Sequence, residues 1–172
     1  MSEAWTAPDG TPVIIRPIRA SDLELERQFV SRLSPATGYQ RLMSARTPSL
    51  DELKRFTDID PTREMALIAT TMVDGRERQI GAARYVKSEA VPGEAEFAIV
   101  LADAWQRRGL GRKLLAALLH AARRDGVRRA VATTLSTNEP MLALARKLGF
   151  TLALNAASPS VTDLTRELGE SS

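Results

Sequence analysis

Apolar and polar positions alternate in short runs over most of this chain and switch to three- and four-residue spacing in a few places. Ala4-Trp5-Thr6 and Val13-Ile14-Ile15 flank Pro8-Asp9-Gly10, a strong turn signal, and predict a hairpin over residues 4–18. Ser21-Asp22 reads as the N-cap of a helix carrying Leu23, Leu25, Phe29 and Val30. Residues 37–44, with Tyr39, Leu42 and Met43, have the makings of a short helix, and Ser49-Leu50-Asp51-Glu52 is a capping box for another ending near Phe56. Asp58-Ile59-Asp60-Pro61 is a loop, and residues 66–73 and 79–86 read as strands about the Asp74-Gly75 turn.

The next stretch, 94–124, organises the rest. Phe97 to Leu101 predict a strand, which turns through Asp103-Ala104-Trp105 into Gln106-Arg107-Arg108-Gly109-Leu110-Gly111. A helix then follows with Leu110, Leu114, Leu118 and Ala121 on one face, stopped at Gly126. Arginines and two glycines between a strand and a helix N-terminus suit a pyrophosphate. The first-turn N–H groups are unpaired, the helix dipole favours negative charge, and glycine lets the backbone approach the oxygens. Residues 130–136 form a further strand. Asn138-Glu139-Pro140 starts a helix with Met141, Leu144, Ala145 and Leu148 on its apolar face, stopped by Gly149-Phe150. Two last strands fall at 150–155 and 160–166.

Composition narrows the class. The 172 residues are 44% hydrophobic and 26% charged, which fits one globular domain over 1–172 with a core of about 12–167. With no cysteine there is no disulfide, thiolate metal site or cysteine nucleophile, and His120 alone cannot build a histidine metal cluster. A net charge of +3 does not argue for nucleic acid, no apolar run is long enough for a spanning helix, and MSEAWTAPDG does not read as a signal peptide. The expectation is a cytoplasmic protein, monomer or dimer, without metal, membrane or nucleic-acid partner.

Gln106-x-x-Gly109-x-Gly111 resembles the phosphate-loop signature of the Gcn5-related N-acetyltransferases (GNAT), whose loop holds the pyrophosphate of acetyl-CoA. Asn138-x-x-Met141-x-x-Leu144-Ala145-x-x-Leu148-Gly149-Phe150 resembles a second segment of that family, in which the Asn contacts the pantetheine arm. A Walker A loop lacks its Gly-Lys-Ser/Thr, and a dinucleotide fingerprint would need glycine at Leu114. The order of elements is also that of the family. It implies an α/β (α+β) GNAT fold, with a mixed central sheet of about six or seven strands flanked by about four helices. Arg16-Pro17-Ile18-Arg19, Leu33-Ser34-Pro35, Phe56-Thr57-Asp58 and Arg63-Glu64-Met65 look like the acetyltransferase domain of bacterial Pat-type protein-lysine acetyltransferases, which act on acyl-CoA synthetases. No fused synthetase-like or cyclic-nucleotide-binding domain is present in the sequence.

The resemblance implies acetyl-CoA as co-substrate and direct transfer to an amine in a ternary complex. The backbone of Ile99, Val100 and Leu101, beside a bulge in the central strand, would bond the pantetheine and polarise the thioester. Arg107, Arg108, Gly109, Leu110, Gly111 and Arg112 would hold the pyrophosphate, and Asn138 the pantetheine. The resemblance also implies a glutamate base on this strand: Glu96, in the matching Ala-Glu-Phe-Ala run, is the expected one, with Glu94 on the same strand face as its competitor. Ala145 stands where many members carry a tyrosine proposed to protonate the leaving thiolate, which leaves the general acid unassigned; Tyr85 is a substitute to examine. Arg123-Arg124 and Arg128-Arg129 read either as a dock for an acidic surface or as a solvated helix end, and Trp105 as packing. A protein lysine is the expected acceptor. A small-molecule amine and a non-catalytic acyl-CoA sensor are the alternatives.

Overall fold

The computed structural model describes residues 2–34 and 49–169, so the helix expected at 37–44 lies outside the described residues. Eight strands form one sheet: β1 (Glu3–Thr6), β2 (Pro12–Pro17), β3 (Glu64–Val73), β4 (Arg76–Lys87), β5 (Glu94–Leu101), β6 (Arg129–Leu135), β7 (Thr151–Leu154) and β8 (Val161–Glu167). Four α-helices are described: α1 (Leu23–Ser31), α2 (Leu50–Thr57), α3 (Leu110–Arg124) and α4 (Glu139–Lys147). The sheet runs β1-β2-β3-β4-β5-β6-β8-β7 and is antiparallel everywhere except between β5 and β6. At eight strands it is slightly wider than the six or seven that the resemblance implies, with the short strands β1 and β7 at its two edges.

Local chemistry explains most boundaries. Asp74 and Gly75 both take positive φ, 52° and 76°, which gives the tight β3–β4 turn the twist a hairpin requires. Ser49 Oγ accepts from the Glu52 N–H at 3.2 Å, completing the expected capping box of α2. Asp22 precedes α1 as expected but does not cap it. Its carboxylate instead takes both guanidinium nitrogens of Arg16 at 2.8 Å and the Arg19 N–H at 2.7 Å, a stronger set of charge-assisted bonds than a cap offers.

The two sheet faces bury two unequal cores. Leu110, Leu114 and Leu118 of α3 are fully buried against Leu67, Ala83, Tyr85, Ala95 and Phe97. Each such leucine contributes about 1.5–3 kcal/mol. On the other face Phe29 of α1 packs with Ile18, Ala66, Ile68, Ala82 and Val100. A bulge shapes the second face: the β3–β4 register slips between Ala69 and Thr70, with Ile80 as the extra residue. Gln79 is thereby turned towards α1, where its Nε2 donates to the buried Glu26 at 2.6 Å.

Candidate active site

The site is made by two strands that start together and part. β5 and β6 pair only at Glu94–Arg129, Ala95–Ala130 and Glu96–Val131. β6 then continues along β8 as far as Leu135–Val161, so it diverges from β5 rather than ending. The bulge expected at residues 99–101 is not what opens the gap. The β4–β5 register runs without a break from Gly81–Leu101 to Lys87–Ala95, and the register slip lies one strand earlier, at Ile80.

That unbroken ladder decides which amides face the gap. Ser88 N–H donates to Glu94 C=O at 2.8 Å and Ala102 N–H to Ile80 C=O at 2.9 Å. Antiparallel pairing alternates, so Glu96, Ala98 and Val100 also spend their amides on β4. Ile99 N–H and C=O and Leu101 N–H point the other way, where β6 has left. Of the three residues expected to contribute backbone, two are therefore free to do so. Val100 is not, and its side chain is buried beneath α1. The gap widens into a groove of about 1130 Å³ that runs from Glu96 past Gln106, Arg107 and Gly111 to Asn138.

At one end of the groove lies the phosphate-type loop. Arg107, at φ 63°, and Gly109, at φ 90°, are both left-handed, and the Gln106 amide holds the loop by donating to Leu101 C=O at 3.3 Å. Gly109 opens α3 with no side-chain cap and no acid in the first turn, where Arg112 adds positive charge instead. A helix start left without internal negative charge is suited to an external anion. Gly111 lies so close to β5 and α4 that a Cβ would meet Leu101 at 3.2 Å and Leu144 at 3.3 Å. Valine there is expected to weaken acetyl-CoA binding about 10-fold or more and to cost about 1–3 kcal/mol of stability, measured by calorimetry and urea unfolding; unchanged affinity would remove the loop from the cofactor site.

The structure separates the arginines. Arg107 and Arg112 line the groove, whereas Arg108 lies 3.9 Å over the buried Trp105 ring and pairs with Asp9 of the β1–β2 turn. Leu110 is wholly in the core, which leaves only its backbone available. Asn138 lines the groove as the N-cap of α4, accepting from Met141 N–H at 3.3 Å and donating to Thr134 Oγ1 at 3.2 Å.

Glu96 is exposed in the groove and shares its sheet face with Ala98 and Val100. Glu94 shares that face but does not line the groove. Beside Glu96 on the neighbouring strand stands Arg84, held by the carbonyl of Phe56 at 3.0 Å with its guanidinium 4.8 Å over that ring. Arg84 was not singled out from the sequence. Only the β4–β5 register, which sets it opposite Ala98, brings it to the site. His120 is exposed on α3, outside the groove.

Two further candidates lie outside the groove. Tyr85 is fully buried on the opposite sheet face, stacked 5.3 Å from Phe97, with its hydroxyl donating to Asp125 at 2.6 Å. Burial first, and then the Asp125 carboxylate, push the phenol well above its ordinary value, so it is a poor proton donor. Tyr85→Phe is expected to lose about 1–2 kcal/mol of stability with kcat unchanged within twofold, read from thermal unfolding and steady-state assays; a large loss of kcat would restore it as the acid. Ala145 is wholly buried and carries nothing into the groove. A thiol whose pKa is near 8.5 leaves as thiolate without a dedicated donor. Among the described residues no group of three or more His, Cys, Asp or Glu is arranged to hold a metal.

A strand edge with free amides, leading past a carboxylate to an uncapped helix start, suits an acyl-CoA-dependent transferase. The comparisons agree. The acetyltransferase (GNAT) domain family matches residues 13–151, and the chain belongs to that family. It is 39% identical over 145 residues to Acetyltransferase PA5475 of Pseudomonas aeruginosa, covering 83% of this chain and 76% of that one. It is 30% identical over 135 residues to Acetyltransferase Pat of Mycolicibacterium smegmatis, covering 78% of this chain but 40% of that protein's length. The crystal structure of the GNAT domain of S. lividans PAT superposes with a TM-score of 0.86 at 27% identity, covering 96% of both chains. yncA of Salmonella typhimurium, solved with its cofactor acetyl-CoA, shares the fold at 22% identity, with a TM-score of 0.70 and coverage of 92% and 95%. The protein is an acetyltransferase that uses acetyl-CoA, and the free amides of Ile99 and Leu101 and the uncapped start of α3 suit that molecule's amides and pyrophosphate.

Proposed function

We propose that the acceptor is a lysine side chain on a protein such as an acyl-CoA synthetase, acetylated directly in a ternary complex with Glu96 as base. Glu96 carries the reading. It is the carboxylate of β5 that opens into the groove, at the point where β5 and β6 part. A lysine of pKa near 10.4 arrives protonated at neutral pH, and Glu96 accepts that proton so that the nitrogen can attack. When bound, acetyl-CoA supplies an activated thioester carbonyl. One of the free N–H groups of Ile99 and Leu101 would stabilise negative charge on its oxygen while the rest of that strand edge bonds the pantetheine amides, and the α3 start with Arg107 and Arg112 would anchor the phosphates. With no cysteine in the chain, transfer does not pass through a thiol relay.

The acceptor wall supports a protein substrate over a polyamine. It is not a run of acids: Arg84 stands among Glu96, Asp103 and Phe56. The N-terminal half, which supplies Phe56, is also where the likeness to Pat-type domains was read. Such a partner would place the reaction in the cytoplasm. The test is acetyl-CoA consumption with a purified acyl-CoA synthetase beside a panel of small amines, with mass spectrometry to locate acetyl-lysine. Modification of one synthetase lysine is expected. Turnover on small amines alone would overturn the acceptor assignment and leave the family membership standing.

A further inference from the structure

The C-terminal half of the sheet is covered on one face and open on the other. Phe97 of β5, Ala130 and Ala132 of β6 and Leu164 of β8 are buried in the core that α3 and α4 share. Residues between them point the opposite way, to the side on which α1 packs over β3, β4 and the far end of β5. There the outward residues of β6, β8 and β7 have no such cover: Thr133, Thr151 and Ala153 are exposed. Glu96 points to this same side, because it pairs with Val131 and alternates with the buried Phe97. On β5 to β8 the open face carries Glu94, Glu96, Asp163 and Glu167 against Arg129 alone, which pairs with Glu167 at 3.4 Å.

We infer that a protein acceptor rests on this open face and that the face selects a lysine with basic side chains beside it. The inference rests on the lysine reading above. With acetyl-CoA in the β5–β6 gap, α3 and α4 closing the far side and α1 over β4, a body that brings an amine to Glu96 has to lie over β6 and β8. Short side chains at Thr133, Thr151 and Ala153 leave a flat partner room to settle. The chain as a whole is at +3, yet this face has an excess of carboxylates, so a basic surface is drawn here and not to the rest of the molecule. Two strand spacings put Glu167 about 10 Å across the sheet from β5, the span of about three residues of extended chain. Asp163, held by Asn155 at 3.1 Å, stands on the same strand further along the face. A cation about three residues from the target lysine therefore comes within reach of one or the other. Charges in such a rim govern encounter and binding of the acceptor and leave the chemical step alone.

Two peptides of equal length decide it, each with a single central lysine, one carrying arginine about three residues to either side and the other glutamate. Steady-state acetylation is measured at saturating acetyl-CoA. The parent protein is expected to favour the arginine peptide by about 10-fold or more in kcat/KM, through KM, and the preference should fade as salt rises from about 0.05 to 0.5 M. Glu167→Lys combined with Asp163→Asn should bring the two peptides to within about twofold of each other, by weakening the first and improving the second. The calorimetric Kd for acetyl-CoA should stay as in the parent, which separates lost docking from lost folding. Equal use of the two peptides by the parent would overturn the inference, as would a preference that the double variant leaves unchanged. Acetylation of neither peptide would overturn it too, whereas the lysine reading stands or falls separately on the synthetase assay.

Discussion

Glu96→Gln is expected to lower kcat by about 100- to 10,000-fold while leaving the affinity for acetyl-CoA unchanged. In free-energy terms that is about 3–5 kcal/mol of transition-state stabilisation. The substitution keeps the size and hydrogen-bonding capacity of the side chain and removes only its ability to take a proton. The groups assigned to the cofactor are backbone amides facing the gap and the start of α3, and none is touched. The deficit should also shrink as pH rises towards the amine's own pKa near 10.4, because an amine that is already neutral needs no base. A pH profile of kcat for parent and variant, with a calorimetric Kd for acetyl-CoA, decides the matter. A loss smaller than about 10-fold, or one that does not diminish at alkaline pH, would remove Glu96 from the role. Glu94→Gln, outside the groove, serves as the matched control.

Asp22→Ala is expected to be the most damaging single change to stability outside the two apolar cores, at about 3 kcal/mol. The carboxylate is almost wholly buried, and it fastens the turn before α1 to β2 through Arg16. Without it the guanidinium, itself only 12% exposed, retains Glu77 at 3.2 Å and the Pro17 carbonyl. For a chain of this size the loss corresponds to roughly 6–12 °C in Tm. The same group makes part of the stability acid-labile. Burial alone would raise the Asp22 pKa, but the Arg16 guanidinium and the Arg19 N–H outweigh it and hold the carboxyl below its ordinary 3.8. The unfolded chain therefore binds this proton more readily than the folded one. The contribution is complete above pH about 4 and is lost as pH falls through the depressed folded value. Urea titrations at pH 7 and across pH 2–5 test both statements: the parent should lose stability on acidification more steeply than Asp22→Asn. Parallel curves would show that the pair is not what acid breaks.

The family and the glycine loop that opens α3 were legible in the order of residues because they rest on local chemistry. Glycines at 109 and 111, an amphipathic repeat after them and a capping box at Ser49 act within a few residues of themselves, so spacing alone reveals them. The proposed base was legible for a related reason. Alternation along β5 sorts Glu96 and Glu94 onto one face, although nothing in that alternation says which of the two opens into the groove.

What the residue order could not express was anything set by the register between distant strands. Arg84 reaches the site because β4 lies antiparallel to β5, and Arg108 leaves it because Asp9, 99 residues away, is the nearer partner. Tyr85 and Ala145 are removed by burial, which is a property of the packed sheet. The gap itself, expected from a bulge in β5, comes from β6 turning away after three pairs to follow β8, which inserts ahead of β7. The sequence by itself determined the elements, the family and the glycine loop before α3, since these depend on local periodicity and backbone propensity. Which amides stand free and which carboxylate faces the groove were decided by the tertiary structure, because each depends on how β5, β6 and α4 meet.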